Sequence, residues 1–424
     1  MWYNNPMNKL VVLDNGLKVV VCENPSVRSL AAGVFVGAGS VNEESEKSGI
    51  SHLIEHMVFK GTERRSAFDI VNETDSVGAQ LNAYTSKTHT CYYTVSRDIH
   101  ADKCLDVLAD MYFNPKFDAA ELEKEKKVVL EELNESEDTP DDVCMEKLAS
   151  AVYKGHALER SILGTKKTLK ALSAEDLHAY KNKFYVPTDT VLSLAGNISE
   201  AEAVGLAEKH FGRAPVVESP ARRLEAATVK GHFAHKKKQI EQAHIAFGFP
   251  GIAYESDETF ALKLLSSAFG MEMSSRLFQN VREKLGLCYS IIGYPTSYIN
   301  NGSYVIYTST SPENVELAVK AIRAEIERLL EGGITEEELA KSKEQLKTSM
   351  VLGQESTSAV MRAFGRHAVT TGELYDIDDN IRKIDEVTLK DISAVAEKVF
   401  DFERVSASFV GGEIVDIHKM MKGI

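Results

Sequence analysis

The sequence predicts an α+β protein of two homologous repeats, each a mixed, mainly antiparallel sheet with helices packed on one face. Three observations carry that expectation. The chain resembles itself at long range, each copy has the same helix-to-strand signature, and segments of helical and strand periodicity alternate along it.

The signature is clearest late in each copy. Ser173-Ala-Glu-Asp176 and Thr388-Leu-Lys-Asp391 correspond at an offset of 215, and each sets a hydroxyl three residues before an acid, as helix N-termini do. Each helix closes at Lys183 or Lys398 and leads to a strand, residues 191–196 in the first copy and 405–411 in the second. Earlier, the strands at 32–37 and 243–248 correspond at an offset of 211, and each leads through a polar loop to an apolar helix. A strand at 17–22 and helices at 101–113 and 311–330 complete the alternation. Between the copies, Pro215, Pro220 and several basic residues interrupt both periodicities. The expected organisation is therefore a first repeat at 1–212, a linker at 213–238 and a second repeat at 239–424.

Composition narrows the function. The 424 residues suffice for sizeable cores, and 49 Lys+Arg against 63 Asp+Glu leave a formal charge of -14. Such a charge repels phosphate backbones and anionic lipid surfaces, so neither nucleic acid nor membrane is an expected partner. No apolar run approaches the length of a membrane span. Cys22, Cys91, Cys104, Cys144 and Cys288 are odd in number and form no C-x-x-C pair, which suits a reducing compartment. The opening Met1-Trp2-Tyr3-Asn4-Asn5-Pro6 has neither the charged and apolar regions of a secretory signal nor an Arg-rich amphipathic helix. The expected location is cytoplasmic, with leaderless export left open.

The chemistry lies in the first repeat. Residues 48–61 form a helical pattern ended by Gly61, with Ile50, Leu53, Ile54, Met57 and Val58 on one arc and His52, Glu55 and His56 on the other. At this spacing two imidazoles converge on one metal while the carboxylate between them reaches a metal-bound water. The pattern is H-x-x-E-H, the inverted zinc-protease motif. An exposed helix face with a chance His/Glu pairing is the plain alternative, and the repeat argues against it. At the offset of 211, His52, Glu55 and His56 become Lys263, Ser266 and Ser267, so the second copy keeps the helix without the ligands.

A catalytic zinc takes three protein ligands and leaves one position for water, so one more ligand is needed. The helix at 119–134 offers Glu125 and Glu132, seven apart on one face, whereas Glu131 points about 100° away. The same stretch reads equally as a solvated acidic helix, and spacing alone leaves the third ligand open.

At this point the chain resembles the pitrilysin-like inverzincin metallopeptidases, specifically the branch of mitochondrial processing peptidase and its bacterial relatives. The resemblance spans essentially the whole chain. In that family a glutamate ligand follows the H-x-x-E-H helix by some seventy-odd residues, with a second acid seven positions before it. The resemblance thus implies one Zn2+ per chain on His52, His56 and Glu132, with Glu125 supporting a ligand from outside. It implies Glu55 as general base, and Arg282 and Tyr289, within 275–289, as the family's Arg and Tyr pair beside the reacting carbonyl. Gly78-Ala-Gln-Leu-Asn-Ala-Tyr-Thr85 is similar to the family's edge strand, on which an extended substrate adds, with contacts at Asn82 and Ala83. Asp142 and Glu146 resemble the acidic pair by which processing peptidases favour an arginine near the cut, although they also suit a helix start after Pro140. The glycine-rich loop of the noncatalytic processing-peptidase subunit has no clear counterpart here.

The function so implied is zinc-dependent endopeptidase action on unstructured peptides or presequence-like segments within an enclosed chamber, built by a homodimer because closed relatives use four such repeats. Two alternatives stand beside it. One is a noncatalytic peptide-binding or assembly subunit of the same fold, and the other a metal-dependent hydrolase of small amides.

Overall fold

The structure, a computed structural model, describes residues 8–219 and 224–424. The chain start at 1–7 and residues 220–223 of the expected linker, Pro220 among them, lie outside the described residues. The chain forms two compact units. Of the described residues, the first comprises 8–133, 160–219 and 351–378, and the second 134–159, 224–350 and 379–424.

The first unit is built on a six-stranded sheet of β1 (Asn8–Val12), β2 (Lys18–Glu23), β3 (Ser29–Val36), β4 (Gln80–Thr85), β5 (Thr90–Arg97) and β6 (Thr190–Gly196), in the order β1-β2-β6-β3-β5-β4. The second unit has a five-stranded sheet of β7 (Phe233–Lys237), β8 (Ala243–Pro250), β9 (Ser290–Tyr298), β10 (Asn301–Thr310) and β11 (Ser406–Gly411), in the order β7-β11-β8-β10-β9. Both sheets are antiparallel except at one pair, β2 with β6 and β7 with β11. The repeat seen in the sequence is thus one five-stranded topology used twice, with β1 added at the edge of the first sheet. Its capping signal also holds, because the Ser173 and Thr388 hydroxyls accept the Asp176 and Asp391 backbone N–H groups at the starts of helices Ala174–Phe184 and Leu389–Val399.

In the first unit, Val19, Val21, Leu30, Ala32, Val34 and Val36 turn one face of the sheet toward helices Ile50–Met57, Ala101–Phe113 and Ala119–Asp138, forming the main core. Strand residues of the other parity, Val20, Cys22, Ala31 and Phe35, are buried on the opposite face against Val360, Met361 and Phe364 of helix Thr357–Thr371. Gly365 permits that approach, since a Cβ there would lie 2.2 Å from the Phe35 ring. The second unit has its own core around Ile245, Phe247, Phe249, Leu265 and Phe409. Its sheet takes helix Pro140–Val152 on the remaining face, where the Ser408 hydroxyl donates to the Cys144 carbonyl at 2.6 Å.

The fold class stands as the sequence indicates. The compact units nevertheless depart from a linear division at 213–238, because 134–159 join the second unit and 351–378 the first. The physical reason is the second apolar face of each sheet, which a helix from the other half of the chain covers.

Candidate metal centre

The helix Ile50–Met57 is fixed at its first turn. Gly49 precedes it at φ +94, a conformation glycine adopts without strain. The buried Glu43 carboxylate accepts the backbone N–H of Gly49 at 2.8 Å and of Ser51 at 2.9 Å, satisfying donors that a helix start leaves without partners. Ser51 Oγ meets Tyr180 Oη at 2.8 Å. Ile50, Leu53, Ile54 and Met57 are fully buried, as the helical pattern indicates, and Val58 begins a short 3-10 turn toward Gly61. Burying that arc aims His52, Glu55 and His56 the other way.

The two imidazoles stand one turn apart with ring centroids 4.6 Å apart. The helix Ala119–Asp138 anchors itself through Leu122, Val129 and Leu133 and brings Glu132 to them. Its Oε2 lies 3.7 Å from His52 Nε2 and 3.5 Å from His56 Nε2. These separations exceed a good hydrogen bond. They match the distance of about 3.4 Å between neighbouring ligand atoms on a tetrahedral zinc with bonds near 2.1 Å. Among the described residues, His52, His56 and Glu132 form the group of three whose ligand atoms lie mutually within 4.8 Å. Glu131 is exposed on another side of the helix.

Protonation also suits a metal. Burial, followed by the charge of His56, pushes His52 down to about 4, so its imidazole is neutral near pH 7, the state a ligand needs. Its Nδ1 is buried without a hydrogen-bond partner. His56 Nδ1 lies 3.0 Å from Glu125 Oε1, and the other Glu125 oxygen accepts from Lys60 Nζ at 2.7 Å. This chain fixes His56 as the Nδ1–H tautomer and leaves the Nε2 lone pair toward Glu132. The donor set of two imidazoles and a carboxylate fits zinc.

Glu55 sits beside this group. Burial raises its pKa, opposed by the Thr85 hydroxyl, which donates to Glu55 Oε2 at 2.5 Å, and by His56. Thr85 ends β4, which among the described residues pairs with β5 alone and leaves its other edge open. The Ser86 N–H to His89 carbonyl bond sets the phase of this hairpin. Antiparallel alternation then directs the backbone of Leu81, Ala83 and Thr85 toward the open edge and that of Asn82 toward β5. Ala83 N–H accordingly donates to Asn82 Oδ1 at 2.7 Å rather than to a strand. Of the two expected contact residues, Ala83 turns its backbone to the open edge, and the Asn82 side chain covers the Ala83 N–H there.

The remaining candidates belong to the second unit. Arg282 lies in a π-helical turn, Phe278–Lys284, rather than in an ordinary helix. Its Nε donates to the Tyr289 carbonyl at 2.6 Å and its guanidinium covers the Phe278 ring at 4.5 Å. The Tyr289 side chain is exposed. Asp142, in the first turn of Pro140–Val152, is raised by burial and then by Asp141 and Glu135, and Glu146 follows one turn later. At the positions that correspond to His52, Glu55 and His56, Lys263 lies over the Phe260 ring, Ser266 donates to the Gly293 carbonyl and Ser267 to Gln345.

Sequence reasoning did not single out Glu43, Lys60 or Thr85. Lys60 follows His56 by one helical turn, a spacing that could have signalled it. Glu43 and Thr85 reach the helix through tertiary contacts that leave no local pattern.

Comparison with known proteins places these observations in a family. The H-x-x-E-H pattern on the helix is that of the inverzincin peptidases. The model of the family described as Insulinase (Peptidase family M16) matches residues 18–166, and that of the Peptidase M16 inactive domain matches 171–346. A Bacillus subtilis protein named uncharacterized zinc protease YmxG is 40% identical over 93% of this chain and 96% of its own. A Streptomyces coelicolor protein, also named an uncharacterized zinc protease, is 35% identical over 94% of this chain and 88% of its own. The chain belongs to peptidase family M16, the pitrilysin-like family. The crystal structure of a protease from Helicobacter pylori superposes with a TM-score of 0.90 at 24% identity, over 96% of this chain and 99% of that one, and shows the fold. No helix among the described residues is long and apolar enough to cross a membrane.

Proposed function

We propose that the chain is a zinc-dependent endopeptidase acting on unstructured or presequence-like peptides. The convergence of His52, His56 and Glu132 beside the Glu55 carboxylate carries this reading, and the names of the family relatives support it. His52, His56 and Glu132 would hold one zinc per chain, and the ion when bound supplies Lewis-acid polarisation of the attacking water and the scissile carbonyl. Glu55 takes the proton of that water and returns it to the leaving amine. A carboxylate whose burial eases protonation suits a group that must hold a proton between two steps.

Substrate adds as a strand to the open edge of β4, at the Ala83 backbone and the Asn82 amide. Because such pairing reads backbone, it selects extended, flexible chains. Arg282 and Tyr289 donate to the developing oxyanion, and Asp142 and Glu146 draw a basic residue near the cut. The working enzyme is a homodimer enclosing a chamber, with Arg282 and Tyr289 of one protomer serving the zinc of the other. The five free cysteines suit a cytoplasmic setting.

Metal analysis alongside digestion of a long unstructured peptide tests the reading. The expected result is one zinc per chain and cleavage that a chelator abolishes and zinc restores. Glu55→Gln should keep the zinc and lose about 10²- to 10⁴-fold in rate. Near wild-type turnover in that variant would remove Glu55 as the base. Zinc-loaded protein that binds the peptide without cutting it would favour the noncatalytic subunit, and a preference for dipeptides would favour the small-amide hydrolase.

A further inference from the structure

We infer that Thr85 is a positioning residue that locks the Glu55 carboxylate to the strand on which substrate adds; the inference rests on the peptidase reading above. Its hydroxyl donates to Glu55 Oε2 at 2.5 Å. That bond occupies one carboxylate oxygen and fixes the rotation of the group about its last torsion, which is otherwise broad. Oε1 is left as the atom that meets the attacking water.

Thr85 is unusual in having a role on two sides. Its side chain shares a strand face with Leu81 and Ala83, which pack on the core that contains the metal helix. Its backbone, by the alternation set at Ser86 and His89, faces the open edge of β4. A peptide that pairs with that edge is therefore indexed against the residue that holds the base. Strand register and proton acceptor share one rigid element, so a bond brought into line along the edge meets a carboxylate already aimed at it.

Three variants separate this role from a structural one, with wild type and Glu55→Gln as references. Thr85→Val keeps the shape and removes the donor, and kcat should fall about ten- to a hundredfold while KM stays within about twofold. Zinc content and the thermal midpoint should match wild type. Thr85→Ser restores a hydroxyl and should recover most of the rate. In the Glu55→Gln background, Thr85→Val should cost nothing further, because a residue that acts through Glu55 has no effect once Glu55 cannot accept a proton.

Thr85→Val at wild-type kcat, a Thr85→Ser variant no better than valine, or a full additional loss in the double variant would each overturn the inference. So would a loss of zinc or a rise in KM that accounts for the defect. Wild-type protein without hydrolysis would overturn the peptidase reading and this inference with it, whereas an active wild type with an indifferent Thr85 overturns the inference alone.

Discussion

Glu131 and Glu132 are neighbours in sequence with opposite surroundings. The first faces solvent, and the second brings an oxygen within 3.7 Å of both imidazoles. Glu132→Gln should weaken zinc binding by roughly a hundredfold or more, and Glu125→Gln, which removes only the support behind His56, by about ten- to a hundredfold. Glu131→Gln should leave affinity unchanged. A competition titration against a fluorescent chelator reads all three, and equal losses in Glu131→Gln and Glu132→Gln would refute the assignment of the ligand. The seven-residue spacing made Glu132 a candidate, but the same acids also describe a solvated helix. Leu122, Val129 and Leu133 resolve the ambiguity by burying one side of that helix.

Among the elements, the metal helix was the most legible, because its apolar arc and its polar triplet are both local patterns. Its anchoring by Glu43 was not, since the carboxylate precedes the helix by a loop. The helix Pro140–Val152 shows the limit in another way. Its opening acids satisfy a helix N-terminus, and sequence cannot tell that use from recognition of a basic side chain. Charge reversal at both Asp142 and Glu146 separates the uses. If they select substrate, cleavage of a peptide library should shift away from sites beside arginine, with little change in the thermal midpoint. Unchanged site preference with a lowered midpoint would leave Asp142 a helix-start acid only and Glu146 without a role in recognition.

For the whole molecule, the exchange of helices gives each compact unit segments from both halves of the chain. Neither half is then a self-sufficient fold, so tests of assembly should use the full chain. Mixing Glu55→Gln protein with Tyr289→Phe protein probes a homodimer with shared sites. Subunit exchange should regenerate one intact site per mixed dimer and return up to about half of wild-type activity to the exchanged fraction. No recovery, with exchange proven and each parent crippled, would exclude a shared site.

The sequence by itself determined the repeat, the two matching helix caps, and the helix that sets two imidazoles on one arc. Each of these rests on periodicity or on spacing within one element, which the backbone repeat converts directly into a shared face. Only the tertiary structure decided that Glu132 meets the imidazoles, that Thr85 holds Glu55, that Asn82 turns its backbone inward, and that two helices trade places between the units. These depend on which residues far apart in the chain are brought together when apolar faces close, and no local pattern encodes that choice.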